Sequence, residues 1–259
     1  MLVDFHSHTN ASDGTLTPHE LAASMQARGV SVFSITDHDS IEAYGVLRGS
    51  FSGTRIVPGV EINTSYRGND VHILGYRFDL SDTRLRRTLD EHRAARHTRA
   101  QRMVEQLRAA GLPITFDMVA AEAAEGAALG RPHVAKALVR NKMVGDVETV
   151  FRDWLGWGKP GHVPQDHVSP QEAIDLIHEA GGVAVLAHPG RLKDETIIDE
   201  LGPALDAIEV FYPKHSSVQV AYYRAKAAHY GLAMTAGSDF HDARWNKDGV
   251  GMDVDRADI

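Results

Sequence analysis

The chain has 259 residues, of which 43% are hydrophobic and 24% are charged. This composition is typical of a globular protein with a sizeable core, and it excludes disorder, collagen and coiled coil for the bulk of the chain. There is no cysteine, which excludes disulfides, thiolate metal sites and cysteine nucleophiles. With 27 basic and 35 acidic side chains the net charge is −8, which disfavours general nucleic-acid binding through surface charge.

The first third and the last third of the chain alternate between β-like and helix-like segments. The β-like runs are at 2–6, 32–36, 55–62, 71–76, 183–187, 207–210 and 232–236. The helix-like runs are at 18–28, 170–180 and 217–230. Thr17 suits an N-cap, Pro18 a first helical position and Gly29 the residue after a helix. This alternation predicts a parallel α/β sheet or an α/β barrel.

The middle of the chain differs, because its pattern is helical throughout. A long helix is expected at 81–108, with eight arginines, followed by shorter helices at 116–124, 132–142 and 147–155. We therefore predict that residues 1–80 and 166–259 form the barrel and that residues 81–165 form an all-helical insertion. The arginines indicate either a solvated helix face with acidic partners or a basic strip for RNA. Trp154 and Trp157, with Phe151, are expected to pack inside the insertion.

Side chains that can bind metals follow one predicted strand after another. The candidate ligands are His6, His8, Asp13, His38, Glu61, His72, His188, Asp239 and His241. His6 and His8 are two residues apart on a strand, so both rings point to the same side and can reach one ion. The carboxyl ends of barrel strands meet at one face, so we expect all nine side chains to lie together.

The types of these side chains indicate the kind of metal site. Six histidines and three carboxylates without a thiolate suit manganese, iron or zinc. Nine ligands are more than one ion can use, so we expect two or three divalent ions. Such a set is typical of a multi-metal hydrolytic site. The residues alone do not assign each ligand to an ion.

The same segments resemble the motifs of the PHP (polymerase and histidinol phosphatase) family, which is amidohydrolase-like. The motifs are His6-Ser7-His8, Thr36-Asp37-His38, Gly59-Val60-Glu61, Ala187-His188-Pro189 and Gly237-Ser238-Asp239-Phe240-His241. The similarity extends from residue 2 to about residue 241. The helical segment around 130–138 resembles the branch that contains 3′,5′-nucleoside bisphosphate phosphatases and 5′→3′ exoribonucleases. The resemblance implies a distorted seven-stranded (β/α) barrel with a trinuclear metal site.

The resemblance also implies how the ligands are shared among the ions. One ion would be held by His6, His8, Glu61 and Asp239, a second by Glu61, His72 and His188, and a third by Asp13, His38 and His241. Manganese is the expected metal, with iron or zinc as alternatives. A metal-bound hydroxide is the expected nucleophile, which would attack phosphorus in line with the leaving oxygen.

Further residues are candidates for substrate binding and catalysis. Arg131 and His133 lie at a helix start, where free N–H groups favour anions. The other phosphate-binding candidates are Lys159, Arg191 and His215. Asp37 is expected either to hold a ligand histidine or to act with His215 as a catalytic group. Arg99 and Arg102 lie on a stretch similar to the family, so one of them is expected to face the site.

These observations predict a metal-dependent phosphoesterase that acts on a small nucleotide, such as the 3′,5′-bisphosphate pAp, or on RNA 5′ ends. The alternatives left open are a cyclic-nucleotide or sugar-phosphate phosphodiesterase, a histidinol-phosphate-type phosphatase, a non-catalytic metal-binding PHP module, and an RNA-binding protein. No apolar run approaches the ~18 residues that span a bilayer, and the N-terminus lacks a signal-peptide pattern. We therefore expect a cytoplasmic protein without a membrane partner.

Overall fold

The computed structural model describes residues 1–47, 51, 53–164, 168–244 and 246–259. Its strands are β1 Leu2–Asp4, β2 Val32–Ile35, β3 Arg55–Tyr66, β4 Asn69–Tyr76, β5 Val183–Leu186, β6 Ala207–Phe211, β7 Ala233–Ala236 and β8 Met252–Asp253. Its α-helices are α1 Pro18–Ala27, α2 Glu42–Val46, α3 Thr83–Ala109, α4 Phe116–Ala120, α5 Arg131–Arg140, α6 Val147–Val150, α7 Pro170–Glu179, α8 Thr196–Leu201 and α9 Ser217–Tyr230. A π-helix at Phe151–Leu155 follows α6 directly.

The strands form one sheet in the order β7-β6-β5-β4-β3-β2-β1-β8, which curves into a nearly closed barrel. The pairs β1/β2, β2/β3, β5/β6 and β6/β7 are parallel, and β8 pairs antiparallel with the start of β1. The predicted α/β barrel is confirmed. The two-residue strand β8, which the sequence did not indicate, is an addition to the seven predicted strands.

Strand β4 is the exception to the parallel pattern, because it is antiparallel to both β3 and β5. The connection from β3 to β4 consists of Arg67 and Gly68, and both have positive φ values, of 49° and 77°. Two such residues make a tight hairpin turn, which joins only antiparallel strands. The first half of β4 therefore lies beside the second half of β3, at the carboxyl end of the parallel strands.

The barrel is closed by chain segments that carry predicted metal ligands. Beyond β1 the chain remains extended, and the N–H groups of Phe5 and His8 donate to the carbonyls of Ala236 and Phe240, each at 2.8 Å. The N–H of Asp239 donates in return to the carbonyl of His6 at 2.8 Å. The ends of the sheet are thus held together next to the site.

The carboxylate of Asp4 also holds the two ends of the sheet together. It is fully buried and accepts hydrogen bonds from the N–H and hydroxyl of Ser238 at 2.9 and 2.7 Å and from the N–H of Gly251 at 2.7 Å. Burial raises the pKa of Asp4, although these hydrogen bonds oppose the shift. The carboxylate therefore connects the start of the barrel to both of its last segments.

The local helix signals agree with the structure. Thr17 accepts the N–H of Glu20, whose side chain accepts the N–H of Thr17, and Gly29 has a φ of 76° after the end of α1. Helix α9 has the predicted bounds. The largest difference in a strand is β3, which extends to Tyr66 because the β4 hairpin continues its pairing.

Helix α3 contributes to two hydrophobic cores. Leu85 and Leu89 pack in the barrel core with residues of β3, β4 and α7, whereas Met103 and Leu107 pack with α5 and the π-helix. Trp154 packs against this second core as expected, but Trp157 is 63% exposed, so its predicted packing is wrong. The predicted domain boundary at 165/166 lies outside the described residues.

The arginine-rich helix is not a uniform surface strip. Arg96 and Arg99 are buried, at 4% and 9% exposure, while Arg84, Arg87 and other arginines of the helix face solvent. In the described parts of the chain, no helix is both long enough and apolar enough to cross a membrane.

We predict that Asp4→Ala weakens barrel closure. The change leaves three N–H groups, those of His6, Ser238 and Gly251, and the hydroxyl of Ser238 without their acceptor, and each such group costs about 1–3 kcal/mol when buried. We expect a loss of about 2–4 kcal/mol in the free energy of unfolding, measured by urea denaturation. The matched control is Asp253→Ala, an 88% exposed carboxylate on β8. Equal stability of the two variants would contradict this role of Asp4.

Candidate metal centre

The structure brings all nine predicted metal ligands together, and Glu61 lies at their centre. The Nε2 atoms of His6 and His8 lie 3.3 and 3.2 Å from Oε2 of Glu61. The same two nitrogens lie 3.5 and 3.3 Å from Oδ1 of Asp239. Two histidines and two carboxylates from β3 and from the segments after β1 and β7 thus face one another.

The second oxygen of Glu61 contacts another pair of histidines. Its Oε1 lies 2.6 Å from Nδ1 of His72 and 3.1 Å from Nε2 of His188. In the register of the β3/β4 hairpin, Glu61 pairs with Leu74, and His72 pairs with Asn63, two residues further along β3. Glu61 and His72 are therefore diagonal neighbours on one face of the sheet. The antiparallel direction of β4 is what brings His72 to this end of the barrel.

The remaining ligands gather around Asp13. Its carboxylate oxygens lie 3.3 Å from Nε2 of His241 and 3.7 Å from Nε2 of His38. The Nδ1 atom of His38 in turn lies 2.9 Å from Oε2 of Glu61, so this group adjoins the other two. His8, Asp13, His38 and His241 offer ligand atoms close enough together to share one ion.

Two ligands occupy unusual backbone conformations. His188 has a φ of 27° and Asp239 a φ of 51°. Residues other than glycine rarely adopt positive φ values. Such conformations cost about 1–3 kcal/mol and persist only where the surroundings enforce them. They turn both side chains into the site directly after β5 and β7.

The polar atoms of this cluster fit the binding of cations. Among the described residues, six buried ligand atoms lack a hydrogen-bond partner. They are Nε2 of His6, Nδ1 and Nε2 of His8, Oδ1 of Asp13, Nδ1 of His38 and Oε2 of Glu61. Buried polar atoms without partners are costly, and nitrogen and carboxylate donors are those that divalent transition metals prefer.

The electrostatics of the cluster also favour cations. Burial alone would raise the pKa values of Asp13, Glu61 and Asp239, yet the neighbouring histidines hold all three well below their ordinary values. Burial opposes a charge on His8, but the carboxylates of Asp239 and Glu61 beside its ring raise its pKa to about 10. The carboxylates are thus ionised and attract positive charge, which divalent ions supply when they displace protons from the ligands.

A cavity of about 670 Å³ opens above these ligands. Its cationic lining residues are Arg96, Arg99, Arg131, Arg191 and Lys214. Its apolar side chains include Val139, Val147 and Phe151 from the helical segment. Of the predicted phosphate-binding residues, Arg131 and Arg191 line this cavity. Arg99 lines it as well, whereas Arg102 is exposed elsewhere.

The structure places the other predicted substrate-binding and catalytic residues outside the cavity lining. Asp37 is fully buried and accepts hydrogen bonds from Thr9 N–H, Thr9 Oγ1 and Ser12 Oγ at 2.6–2.7 Å, so it holds the loop that carries Asp13. Nε2 of His215 accepts the N–H of Gly190 at 3.2 Å, and Nδ1 lies 2.9 Å from the carbonyl of Val210.

His133 and Lys159 depart from the prediction in a similar way. Nδ1 of His133 accepts the N–H of Gly130 at 3.1 Å, so the ring caps its own helix and is 1% exposed. Lys159 is exposed to solvent outside the cavity lining. Asp37, His133 and His215 are held by hydrogen bonds to neighbouring groups, and Lys159 lies away from the cavity lining. This geometry does not support the direct contact with substrate that we expected of these four residues.

Several residues of the site were missed at the sequence level: Arg96 and Lys214 line the cavity, and three others contact predicted ligands. Glu209 holds His6 and the backbone of His188, Asn63 contacts His72, and Tyr212 donates to Asp239 at 3.1 Å. Glu209 alone had a usable signal, because it is a single acidic residue within the apolar run of β6. Asn63 and Tyr212 carry no pattern that distinguishes them from surface polar residues.

Comparison with known proteins identifies the family. No protein-family model matches the chain. The chain is 34% identical over 251 residues to the 5′-3′ exoribonuclease Rnm of Escherichia coli, a match that covers 93% of this chain and 85% of that protein. It is 35% identical over 247 residues to a 3′,5′-nucleoside bisphosphate phosphatase of Chromobacterium violaceum, covering 92% and 87%. The chain belongs to the PHP family.

Two solved structures share the fold over nearly the whole chain. An amidohydrolase of Chromobacterium violaceum with bound sulfate and no metal is 33% identical, with a TM-score of 0.88 and coverage of 98% and 92%. A protein of Bifidobacterium adolescentis described as a metal-dependent phosphoesterase is 33% identical, with a TM-score of 0.82 and coverage of 92% and 87%. This PHP protein is accordingly a metal-dependent hydrolase that acts on phosphate esters.

We predict that divalent cations stabilise the folded protein. A ligand that binds only the folded state at 100 times its Kd adds about 2.7 kcal/mol, which corresponds to a rise of roughly 5–10 °C in Tm for a chain of this size. The measurement is the unfolding temperature of chelator-treated protein with and without Mn²⁺, with sodium chloride of equal ionic strength as the salt control.

The variant His8→Ala should reduce this rise, because His8 adjoins both the Glu61 group and the Asp13 group. His229→Ala, an exposed histidine on α9, is its control. A Tm of the wild-type protein that does not respond to Mn²⁺ would contradict a metal site in this cluster.

Proposed function

We propose that the protein removes a phosphate group from small nucleotides that carry two phosphates, with a 3′,5′-bisphosphate such as pAp as the preferred substrate. The observation that supports this proposal most strongly is that cationic side chains from two parts of the chain line one cavity, Arg191 after β5 and Arg99 and Arg131 on α3 and α5. Arg191 lies beside the metal ligands, while Arg99 and Arg131 form a second region on the helical segment. A bisphosphate can use both regions, whereas a monophosphate can use one. The bisphosphate phosphatase among the relatives supports the same substrate class.

The nine clustered side chains would hold two or three divalent ions, and we propose manganese. His6, His8, Glu61 and Asp239 would hold one ion, Glu61, His72 and His188 a second, and Asp13, His38 and His241 a third. When bound, such ions supply Lewis acidity and lower the pKa of water to near neutrality. The three groups of contacts around Glu61 and Asp13 support this division.

Arg191 would hold the phosphate that reacts. Its Nη1 atom lies 3.5 Å from Oδ2 of Asp239, so the guanidinium is next to a metal ligand and can donate to phosphate oxygens. Asp239 also accepts the hydroxyl of Tyr212, which keeps the carboxylate in place while Arg191 contacts the substrate. Fixed donors of this kind stabilise charge on the phosphoryl oxygens during in-line displacement.

Arg99 and Arg131 would hold the second phosphate. Burial, together with the charges of Arg131 and Arg96, lowers the pKa of Arg99 to about 9, so the side chain stays charged at neutral pH among other cations. Arg131 pairs with Asp70 at 2.7 Å and remains partly exposed to the cavity. A dianionic phosphate between these arginines relieves their mutual repulsion.

We propose that residues 81–165 act as an insertion that forms one wall of the cavity. The wall residues on α3, α5, α6 and the π-helix all come from this segment. Met103, Leu107 and their neighbours give it a core of its own, while Leu85 and Leu89 attach α3 to the barrel. The insertion would thus select the substrate, and the barrel would carry the metal ligands.

The rim of the cavity favours a second candidate, the 5′ end of a short RNA. Trp157 is 63% exposed, its ring lies 4.8 Å from that of His162, and Nζ of Lys193 lies 5.3 Å from its centre. Burial and the positive charges of Arg99, Arg131 and Lys193 lower the pKa of His162, so this rim lies close to the arginine wall. An exposed indole among cations can stack a second base and bind its phosphate. The exoribonuclease among the relatives supports this candidate.

For the bisphosphate proposal, we predict that Arg131→Ala lowers kcat/KM for pAp by about 10–100-fold and changes hydrolysis of AMP by less than threefold. The lost contact is a charge-assisted hydrogen bond, worth about 1.5–3 kcal/mol, and only the second phosphate uses it. The assay is phosphate release at saturating Mn²⁺. Arg140→Ala is the control. Arg140 lies on the same helix and pairs with Glu122, but its side chain is 71% exposed and does not line the cavity. Equal losses on pAp and AMP would contradict a second phosphate site.

For the RNA candidate, we predict that Trp157→Ala lowers kcat/KM for a 5′-phosphorylated oligoribonucleotide by about 5–100-fold and leaves pAp hydrolysis unchanged. Loss of base stacking costs about 1–3 kcal/mol. Tyr222→Ala, an exposed aromatic residue on α9, serves as the control. If the wild-type protein does not shorten RNA, the candidate fails and the bisphosphate proposal stands alone.

A further inference from the structure

Glu209 is a buried carboxylate that belongs to none of the three ligand groups. It lies on β6 between the buried residues Ile208 and Val210, with 0% exposure. Its Oε1 lies 3.0 Å from Nδ1 of His6, and its Oε2 accepts the backbone N–H of His188 at 2.7 Å. One side chain thus contacts two predicted metal ligands that come from opposite sides of the barrel.

The contact with His6 decides which nitrogen of that ring can bind a cation. A carboxylate only accepts hydrogen bonds, so when Glu209 is ionised its contact with His6 requires a proton on Nδ1 of that ring. The other nitrogen, Nε2, is then left for the site, where it lies 3.3 Å from Glu61 and 3.5 Å from Asp239. Metal-binding histidines commonly have this arrangement, in which a carboxylate fixes the ring from behind.

The contact with His188 holds a strained turn. His188 has a φ of 27°, and its Nε2 atom lies 3.1 Å from Glu61. The hydrogen bond from its N–H to Glu209 fixes the backbone at the point where the chain turns the imidazole into the site. The same carboxylate therefore sets the ring orientation of one ligand and the backbone of another.

Gly237 packs closely against both His6 and Glu209. A Cβ atom at Gly237 would collide with Cβ of His6 and lie 2.5 Å from Oε1 of Glu209. The absence of a side chain at 237 is thus what allows His6 and Glu209 to meet. Both oxygens of Glu209 are engaged, one by the ring of His6 and the other by the backbone of His188.

We propose that Glu209 is a positioning residue that joins His6 and His188 and keeps their Nε2 atoms directed at the metal site. The inference rests on the proposed function only in taking these two histidines as ligands. It assigns a role to a residue on β6, a strand that supplies no ligand of its own.

The decisive variant is Glu209→Gln, which keeps the size of the side chain. A carboxamide has one acceptor oxygen and one donor NH2 group, so it cannot accept both the Nδ1–H of His6 and the N–H of His188; if its NH2 faces Nδ1, the ring proton moves to Nε2, the nitrogen that faces the metal site. We expect Mn²⁺ affinity to fall about 10–100-fold, as for other residues that hold metal ligands. At limiting Mn²⁺ kcat should fall in parallel, and KM for pAp should change little. Glu209→Ala should lose both contacts and bind Mn²⁺ more weakly still.

Mn²⁺ affinity is measured by competition with a chromogenic chelator, so the readout does not depend on activity. Asp206→Asn is a matched control. Oδ2 of Asp206 lies 2.7 Å from Nε2 of His178 and accepts the N–H of Ala184 at 2.8 Å, so this carboxylate also joins a histidine ring to a backbone N–H, at the far end of β5 and β6. This variant should keep the Mn²⁺ affinity of the wild-type protein, even if its Tm falls.

A second measurement needs no variant. In wild-type protein loaded with diamagnetic Zn²⁺, ¹⁵N NMR of the imidazole rings should show His6 protonated at Nδ1 and unprotonated at Nε2. A proton on Nε2, or wild-type Mn²⁺ affinity in Glu209→Gln, would overturn the role of Glu209. Either result could be obtained with a wild-type protein that binds Mn²⁺ and releases phosphate. In that case the inference about Glu209 fails and the proposed function stands. A wild-type protein that binds no metal would overturn both.

Discussion

The structure depends on a single buried carboxylate, that of Glu61, which contacts five imidazole rings. Oε2 faces His6, His8 and His38, and Oε1 faces His72 and His188. A buried anion is costly unless hydrogen-bond donors or cations compensate it, and the barrel directs imidazole rings from several adjoining segments at Glu61. The same concentration of lone pairs and negative charge makes the cluster a site for divalent cations.

The hairpin of β3 and β4 links this carboxylate to the helical segment. The tight turn at Arg67 and Gly68 reverses the chain, so that His72 meets Glu61 and the chain then leaves the barrel toward α3. Arg96 of α3 reaches back to the same region, where its Nε donates to Asp39 at 2.6 Å and its Nη2 donates to Asn63. Asn63 in turn contacts His72 at 2.9 Å. The helical segment is therefore in hydrogen-bonded contact with the surroundings of the metal ligands.

Much of the site could be predicted from the sequence because ligand types follow apolar strands, and strand ends meet at one face of a barrel. The spacing in His6-Ser7-His8 and the position of Glu61 after an apolar run were sufficient to place these residues. The antiparallel direction of β4 was not visible, because Arg67-Gly68 is a weaker turn signal than Asn-Gly or Asp-Gly.

The direction in which each side chain points could not be predicted from the sequence. Asp37, His133 and His215 lie in motif segments, but each is engaged by nearby backbone or hydroxyl groups instead of facing the cavity. Glu209 shows the opposite case, because a residue without a predicted role lies directly behind two ligands. Such differences depend on contacts between residues far apart in the chain.

The most direct test of the account is the anomalous scattering of manganese in a crystal of the metal-loaded protein. The account predicts two or three peaks within coordination distance of the nine ligands, with Glu61 adjoining at least two of them and no peak on Glu209. An absence of peaks around Glu61 in crystals of protein that hydrolyses phosphate esters would contradict it, as would manganese bound to other residues.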